Sequence, residues 1–147
     1  MTLSDHCPLL NSPATSRIVS VANNRFGALV SSMYSFWTAR GAAIRSGESS
    51  GVRRDAYTLI PFATTALTIL ASDTTSTPDQ LLDIVLQPQP SVGWDNDFND
   101  TLRTVHREME RTWSPDRTPV VIFLSDGEDR LTDKVVYDLC RKAVSLG

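Results

Sequence analysis

Apolar residues recur along most of this chain at spacings of three and four, the period of helices that bury one face. The clearest amphipathic helix spans residues 98–113, and Asn96 or Asp97 is its expected N-cap. Its predicted buried positions are Phe98, Leu102, Val105, Met109 and Trp113. The opposite face carries arginine and glutamate side chains, which predicts a solvated, ion-paired surface.

An earlier helix is predicted from Asn24, with Asn23 or Asn24 as its cap and Gly41 as its stop, although residues 42–44 could extend it. Its apolar positions are Phe26, Leu29, Val30, Met33, Phe36 and Trp37. Just before it, Arg17–Val21 fits either a short strand or the lead-in to this helix.

Capping residues mark two more helices. Thr77 is an expected N-cap, with Pro78 at the first helical position and Gln80 completing a capping box. Thr132 is the expected cap of a last helix that ends near Gly147. The predicted inner face of that helix consists of Val135, Val136, Leu139, Cys140, Ala143 and Leu146.

Strand patterns occupy the remaining apolar stretches. Residues 55–62 and 67–70 predict a hairpin, in which Pro61 places the first strand at an edge or a bulge. Val120–Leu124 has no polar alternation and is rich in β-branched residues, which predicts a strand covered on both faces in a parallel sheet. Ser125, Asp126 and Gly127 then follow at the sheet's carboxyl edge, where ligands usually bind. This order of elements indicates a layered α/β domain.

Composition narrows the function. The 147 residues are 41% hydrophobic and 21% charged, as expected for one globular domain. A net charge of −3 with scattered basic residues gives no reason to expect a nucleic-acid partner. No run approaches a membrane span, and the chain does not start with a signal peptide, so we expect no membrane partner and a cytoplasmic or other intracellular location. Cys7 and Cys140 suggest neither a disulfide framework nor a zinc site.

Two loops carry candidate chemistry. Asp126, with Glu128 and Asp129 nearby, fits either a Mg²⁺ site or an ordinary strand-to-helix turn. The loop Gly93–Phe98 is dense in oxygens, and its Asp97 fits either a cation ligand or a helix cap. No nucleophile elbow, phosphate-binding loop or zinc-protease motif is present in the sequence.

Together these loops resemble the von Willebrand factor type A domain. Val-Ile-Phe-Leu-Ser-Asp-Gly at 121–127 is similar to the family's third metal loop, with Asp126 in place of the metal-site aspartate. Gly93–Phe98 occupies the place of its second loop, usually Gly-Gly-Thr-x-Phe, and Asn96 stands where the threonine is expected. The order of elements resembles the family from about residue 24 to 147, while the first loop, Asp-x-Ser-x-Ser, is absent.

The resemblance implies an α/β, Rossmann-like three-layer sandwich with a mainly parallel sheet and an antiparallel edge hairpin. This sandwich is expected to be incomplete, because the first metal loop and the last strand and helix are missing. Residues 1–16 are expected to be irregular, and residues 17–147 to form the partial domain.

The implied function is a non-enzymatic protein–protein interaction module with a degenerate metal-ion-dependent adhesion site. Asp126, Asn96 and Asp97 are its candidate Mg²⁺ ligands, and in this family the metal accepts a carboxylate from a partner protein. Two alternatives are a metal-dependent hydrolase or phosphotransfer domain using Asp126 and Asp129, and a truncated product without independent function.

Overall fold

The computed structural model describes residues 8–9, 11–45, 55–62, 65–87, 97–125 and 132–146. Within these ranges the elements are α1 (Thr15–Val21), α2 (Arg25–Arg45), β1 (Tyr57–Leu59), β2 (Leu70–Asp73), α3 (Pro78–Leu86), α4 (Phe98–Thr112) and α5 (Asp133–Leu146). They divide into two compact units. Unit 1 comprises Met1–Arg54 and Thr75–Pro88, and unit 2 comprises Asp55–Thr74 and Gln89–Gly147.

The predicted Rossmann-like α/β sandwich with a mainly parallel sheet is wrong. The described residues contain one sheet, in which β1 and β2 pair antiparallel, and are otherwise mainly helical. Val120–Leu124, predicted as a buried parallel strand, belongs to no helix or strand. A strand covered on both faces needs parallel neighbours along its edges, and the described part of the chain supplies none.

The predicted hairpin is present, but it forms the whole described sheet rather than the edge of a larger one. β1 ends before Pro61, and β2 begins at Leu70 rather than at Leu67. The register shifts by one residue within the pair, and Ser72 on β2 has a φ of 52°. The Ser72 amide donates to Thr58 Oγ1 at 3.0 Å, so a side chain holds the irregular position.

Unit 1 consists of α2 packed against α1 and α3. Arg17–Val21 is helical and forms most of α1, and α2 continues through Gly41. The buried face of α2 is formed by Gly27, Val30, Ser31, Tyr34 and Trp37. Phe36, one of the apolar positions that predict this helix, is exposed, because the face that meets the neighbouring helices is rotated relative to the apolar stripe.

The predicted start of α3 is confirmed. Thr77 Oγ1 accepts from the Gln80 amide at 3.3 Å, and Gln80 Oε1 accepts from the Thr77 amide at 2.8 Å. Leu81, Leu82 and Val85 then face the core of unit 1. Arg17 on α1 forms ion pairs with Asp79 and Asp83 on α3, but these side chains are well exposed, so the pairs contribute little stability.

Unit 2 is built on α4 and α5. Leu102, Met109 and Leu139 form its buried cluster. The residues packed around that cluster are Val105, Phe123, Val135, Ala143 and Leu146. Val136 and Cys140, predicted on the inner face of α5, are exposed, because α5 buries a narrower stripe against α4 than a sheet would cover.

The ends of α4 and α5 are joined by one side chain. Trp113, the C-terminal flanking residue of α4, donates its indole N–H to the Leu146 carbonyl at 2.6 Å. Although Trp113 was predicted to be buried, it is substantially exposed and acts through this bond.

Candidate functional site

The structure describes only one of the three predicted metal ligands. Asn96 and Asp126, together with Asp129 of the alternative hydrolase, lie outside the described residues, so their metal-binding roles stay predictions. Asp97 is described, and it caps α4: its Oδ1 accepts from the Asp100 amide at 2.8 Å. Within the described ranges, no group of three or more histidine, cysteine, aspartate or glutamate side chains is placed to hold a metal ion.

Asp97→Ala separates the two roles of this carboxylate. Loss of the cap should cost about 1 kcal/mol of the free energy of unfolding, because an N-terminal amide of α4 loses its acceptor. We expect the same loss in Mg²⁺ and in EDTA, measured by urea denaturation in each buffer. Asp100→Ala, in the first turn of the same helix, is the control for a change of charge. A loss confined to the Mg²⁺ buffer would instead identify Asp97 as a metal ligand.

The most unusual feature of unit 2 is the stretch Val120–Leu124, here called the apolar segment. Four of its five side chains are exposed, although all five are apolar. Val120 and Ile122 are 78% and 62% exposed, Val121 and Leu124 are 38% and 44% exposed, and only Phe123 is partly buried. The segment is therefore held by Phe123 and exposes apolar side chains to solvent.

Phe123 anchors the segment. Its ring stacks on Phe62, with the centroids 5.0 Å apart, and meets Phe98 edge to face at 5.3 Å. Phe62 and Phe98 are also in edge contact, at 5.8 Å, so the three rings form a closed cluster. This phenylalanine cluster fixes the segment next to the hairpin and the start of α4, with aromatic geometry that contributes beyond simple burial.

The backbone of the apolar segment is unpaired in the described part of the chain: none of its N–H or C=O groups forms a hydrogen bond there. A row of free donors and acceptors in an apolar extended chain is a template for pairing with another strand. The arrangement offers backbone hydrogen-bonding groups and exposed apolar side chains together.

Sequence reasoning found this segment but assigned it to the wrong environment. It missed the phenylalanine cluster because Phe62, Phe98 and Phe123 lie in three stretches of the chain that are far apart in sequence. Phe98 was predicted to be buried as the first apolar position of α4, and that prediction is confirmed. The sequence does place one phenylalanine in each of three predicted elements: the hairpin, the helix that begins at Phe98, and the apolar stretch 120–124.

Charged side chains on α4 and α5 form ion pairs between the two helices and within α5. Lys142 Nζ is 2.6 Å from Glu110 Oε1, and His106 Nε2 lies 4.0 Å from the same oxygen. The hydrogen bond and charge of Lys142 lower the pKa of Glu110 from its usual value. On α5 itself, the bond from Lys134 to Asp138, 2.8 Å long, similarly lowers the pKa of Asp138.

These pairs predict a specific pH response. Because the folded pKa of Glu110 is lowered, its contribution to stability is present above its unfolded pKa and is lost as pH falls through the folded value. Lys142→Gln should raise the Glu110 pKa toward its usual value, as measured by NMR titration of the carboxyl carbons. Lys134→Gln is the matched control, which should raise the Asp138 pKa and leave that of Glu110 in place. An unchanged Glu110 pKa in Lys142→Gln would contradict the pairing.

Comparison with protein-family models, with curated proteins and with solved structures finds no match for this chain. Among the described helices, none is both long and apolar enough to cross a membrane.

Proposed function

We propose that the chain is a non-enzymatic protein-binding module, and that its binding element is the apolar segment, Val120–Leu124. The bound protein adds a β-strand alongside this segment. The observation that carries the proposal is a segment outside any helix or strand that is anchored by Phe123, has a backbone unpaired within the described residues, and exposes apolar side chains. Protein–protein interaction is also the function that the von Willebrand factor type A resemblance implies, although through a metal loop.

Strand addition fits the chemistry of the segment. In this mode of recognition, main-chain hydrogen bonds supply affinity and alternate side chains supply specificity. The side chains that would meet a partner are Val120, Ile122 and Leu124, all of them exposed. Val and Ile are among the residues that favour strands, so the segment needs little rearrangement to pair.

Anchoring by Phe123 lowers the cost of binding. A free chain must lose conformational entropy when it becomes a strand, and this cost reduces affinity. Because the Phe123 ring is already packed against Phe62 and Phe98, part of that ordering occurs when unit 2 folds. The phenylalanine cluster therefore orders part of the segment before a partner binds.

A strand-forming peptide tests the proposal. The probe is a fluorescein-labelled synthetic peptide of alternating valine and threonine, and binding is followed by fluorescence anisotropy at low protein concentration. The wild-type chain should bind the probe. Ile122→Pro should abolish binding, because proline has no N–H to donate and its ring disrupts the ladder.

Thr118→Pro is the matched control, since it introduces the same residue two positions before the segment, next to the native Pro119, and should leave binding intact. Circular dichroism of both variants checks that the helices remain folded. Absence of binding by the wild-type chain, or equal binding by Ile122→Pro, overturns the proposed function.

A further inference from the structure

We infer that the groove between α4 and α5 is a second binding site, and that its ligand is a small molecule carrying phosphate groups. Arg103 on α4 and Arg141 on α5 are the cationic side chains that pair with these groups. Both helices belong to unit 2, and the groove is distinct from the apolar segment, so the inference goes beyond the proposed function.

The groove lies between two parallel helices. Near their starts, Asn99 Oδ1 accepts from the Thr132 amide at 2.9 Å, and at their ends the Trp113 indole donates to the Leu146 carbonyl. These bonds hold α5 alongside α4, and the groove between them has a volume of about 720 Å³. Small-molecule sites measure roughly 300–1,000 Å³, so the groove has room for a small ligand.

The groove is positively charged, although the whole chain carries a net charge of −3. Four lysine and arginine side chains and two carboxylates line it, which gives a net charge of +2 with His106 neutral. Because this excess is local, it attracts a small anion without drawing a polyanion such as nucleic acid to the surface as a whole. A phosphate monoester, with a charge of about −1.5 to −2 at neutral pH, matches it.

Two ion pairs leave the arginines as the source of this excess. Lys134 Nζ is 2.8 Å from Asp138 Oδ2, and Lys142 Nζ is 2.6 Å from Glu110 Oε1, so each carboxylate is matched by a lysine. An anion that enters the groove therefore meets carboxylates whose charge is largely offset and guanidinium groups whose charge is not.

Neither arginine forms an ion pair within the described part of the chain, although the charge of Arg141 helps to lower the pKa of Asp138. The Arg141 guanidinium carbon lies over the Tyr137 ring, 5.8 Å from its centroid. Stacking of this kind leaves the N–H groups at the edge of the guanidinium open. Its planar fork of donors fits two phosphate oxygens at once, which a simple halide cannot reproduce.

His106 contributes an unpaired polar atom to the wall of the groove. Its Nε2 is buried, has no hydrogen-bond partner among the described residues, and lies 4.0 Å from Glu110 Oε1, beyond hydrogen-bond reach. Buried polar atoms are nearly always paired, and a phosphate oxygen is an acceptor for this nitrogen. The His106 side chain is 34% exposed, so a ligand in the groove reaches the ring.

NMR titration of the full, isotope-labelled chain with pyrophosphate tests the inference, with sulfate at equal ionic strength as the comparison anion. Amide signals of α4 and α5 beside the groove should shift and saturate with pyrophosphate, while those of the apolar segment stay in place. Arg103→Gln and Arg141→Gln should each weaken binding about tenfold, because charge-assisted hydrogen bonds are lost.

Arg107→Gln is the matched control for the loss of a positive charge on α4. Arg107 lies outside the groove and donates to Thr104 Oγ1 at 3.0 Å, so this variant should bind like the wild type. Circular dichroism of every variant checks that the helices remain folded.

Glu110→Gln should have the opposite effect and tighten binding severalfold. Its replacement removes a negative charge from the groove and frees Lys142 to pair with the ligand. Glu108→Gln is the control, because Glu108 pairs with Arg111 outside the groove and its loss should leave the affinity unchanged.

Three outcomes overturn the inference: no saturable shift in the wild-type chain, equal weakening by Arg103→Gln and Arg107→Gln, or equal binding of sulfate, which would show an adventitious ion only. Binding of a phosphoserine peptide without binding of pyrophosphate would assign the phosphate to a protein partner and also overturn it. None of these results affects the proposed function, which depends on the valine–threonine peptide and the apolar segment.

Discussion

Gly27→Ala should destabilise unit 1, although the same exchange inside an ordinary helix is stabilising. A Cβ at Gly27 would lie 1.9 Å from the Ala22 carbonyl oxygen and 3.4 Å from Ile18 Cγ2. The first contact is with backbone at the C-terminal end of α1, so a side-chain rotation cannot relieve it. We expect the free energy of unfolding to fall by about 1–3 kcal/mol, as is typical of overpacked sites.

Gly41→Ala is the matched control on the same helix. Among the described residues, its Cβ would meet the end of the Arg45 side chain, at 3.4 Å, and Pro78 Cγ, at 3.9 Å. Removing backbone freedom from the unfolded chain should here stabilise the protein by roughly 0.5–1 kcal/mol. Urea denaturation of both variants measures whether each substitution raises or lowers the free energy of unfolding. If Gly27→Ala also stabilises, the close approach of α1 and α2 at this point is incorrect.

Phe98→Ala should be the most damaging substitution in unit 2. Phe98 is 5% exposed and touches the rings of both Phe62 and Phe123. Truncation of a buried phenylalanine costs about 3–5 kcal/mol, a large part of the roughly 5–15 kcal/mol that stabilises a typical domain. The anchor of the apolar segment is lost with it.

Phe36→Ala provides the comparison, because it removes the same atoms from an exposed position on α2. Its cost in free energy of unfolding should be a small fraction of that for Phe98→Ala. Equal costs would show that the phenylalanine cluster does not hold unit 2 together. Hydrogen exchange of the α4 amides should report the difference directly, with faster exchange in Phe98→Ala alone.

The parts of this fold that the sequence predicts correctly are those that local interactions decide. The capping box at Thr77 and the cap at Asp97 are formed by residues within three positions of one another. Asn24 likewise accepts from the Gly27 amide at 3.2 Å, directly before α2. Such contacts depend little on the rest of the molecule, so capping rules locate the starts of these helices.

The errors arise where the environment is supplied by distant residues. Five apolar residues in a row indicate burial, but burial in a parallel sheet requires neighbours that Val120–Leu124 does not have in the described structure. The same limit affects α5, whose apolar stripe meets one helix instead of a sheet and leaves Val136 in solvent. At the candidate site, the apolar segment was visible in the sequence, but its exposure and its anchor at Phe123 were not.

The bond from the Trp113 indole to Leu146 has a consequence for how unit 2 opens. The last carbonyls of a helix lack partners within it, and such ends fray independently in most proteins. Here the final turn of α5 is tied to the end of α4 across 33 positions of sequence. We therefore expect the amides at the two helix ends to lose protection from hydrogen exchange together, as one cooperative unit of local unfolding. Local unfolding of α5 then depends on a residue that lies outside it.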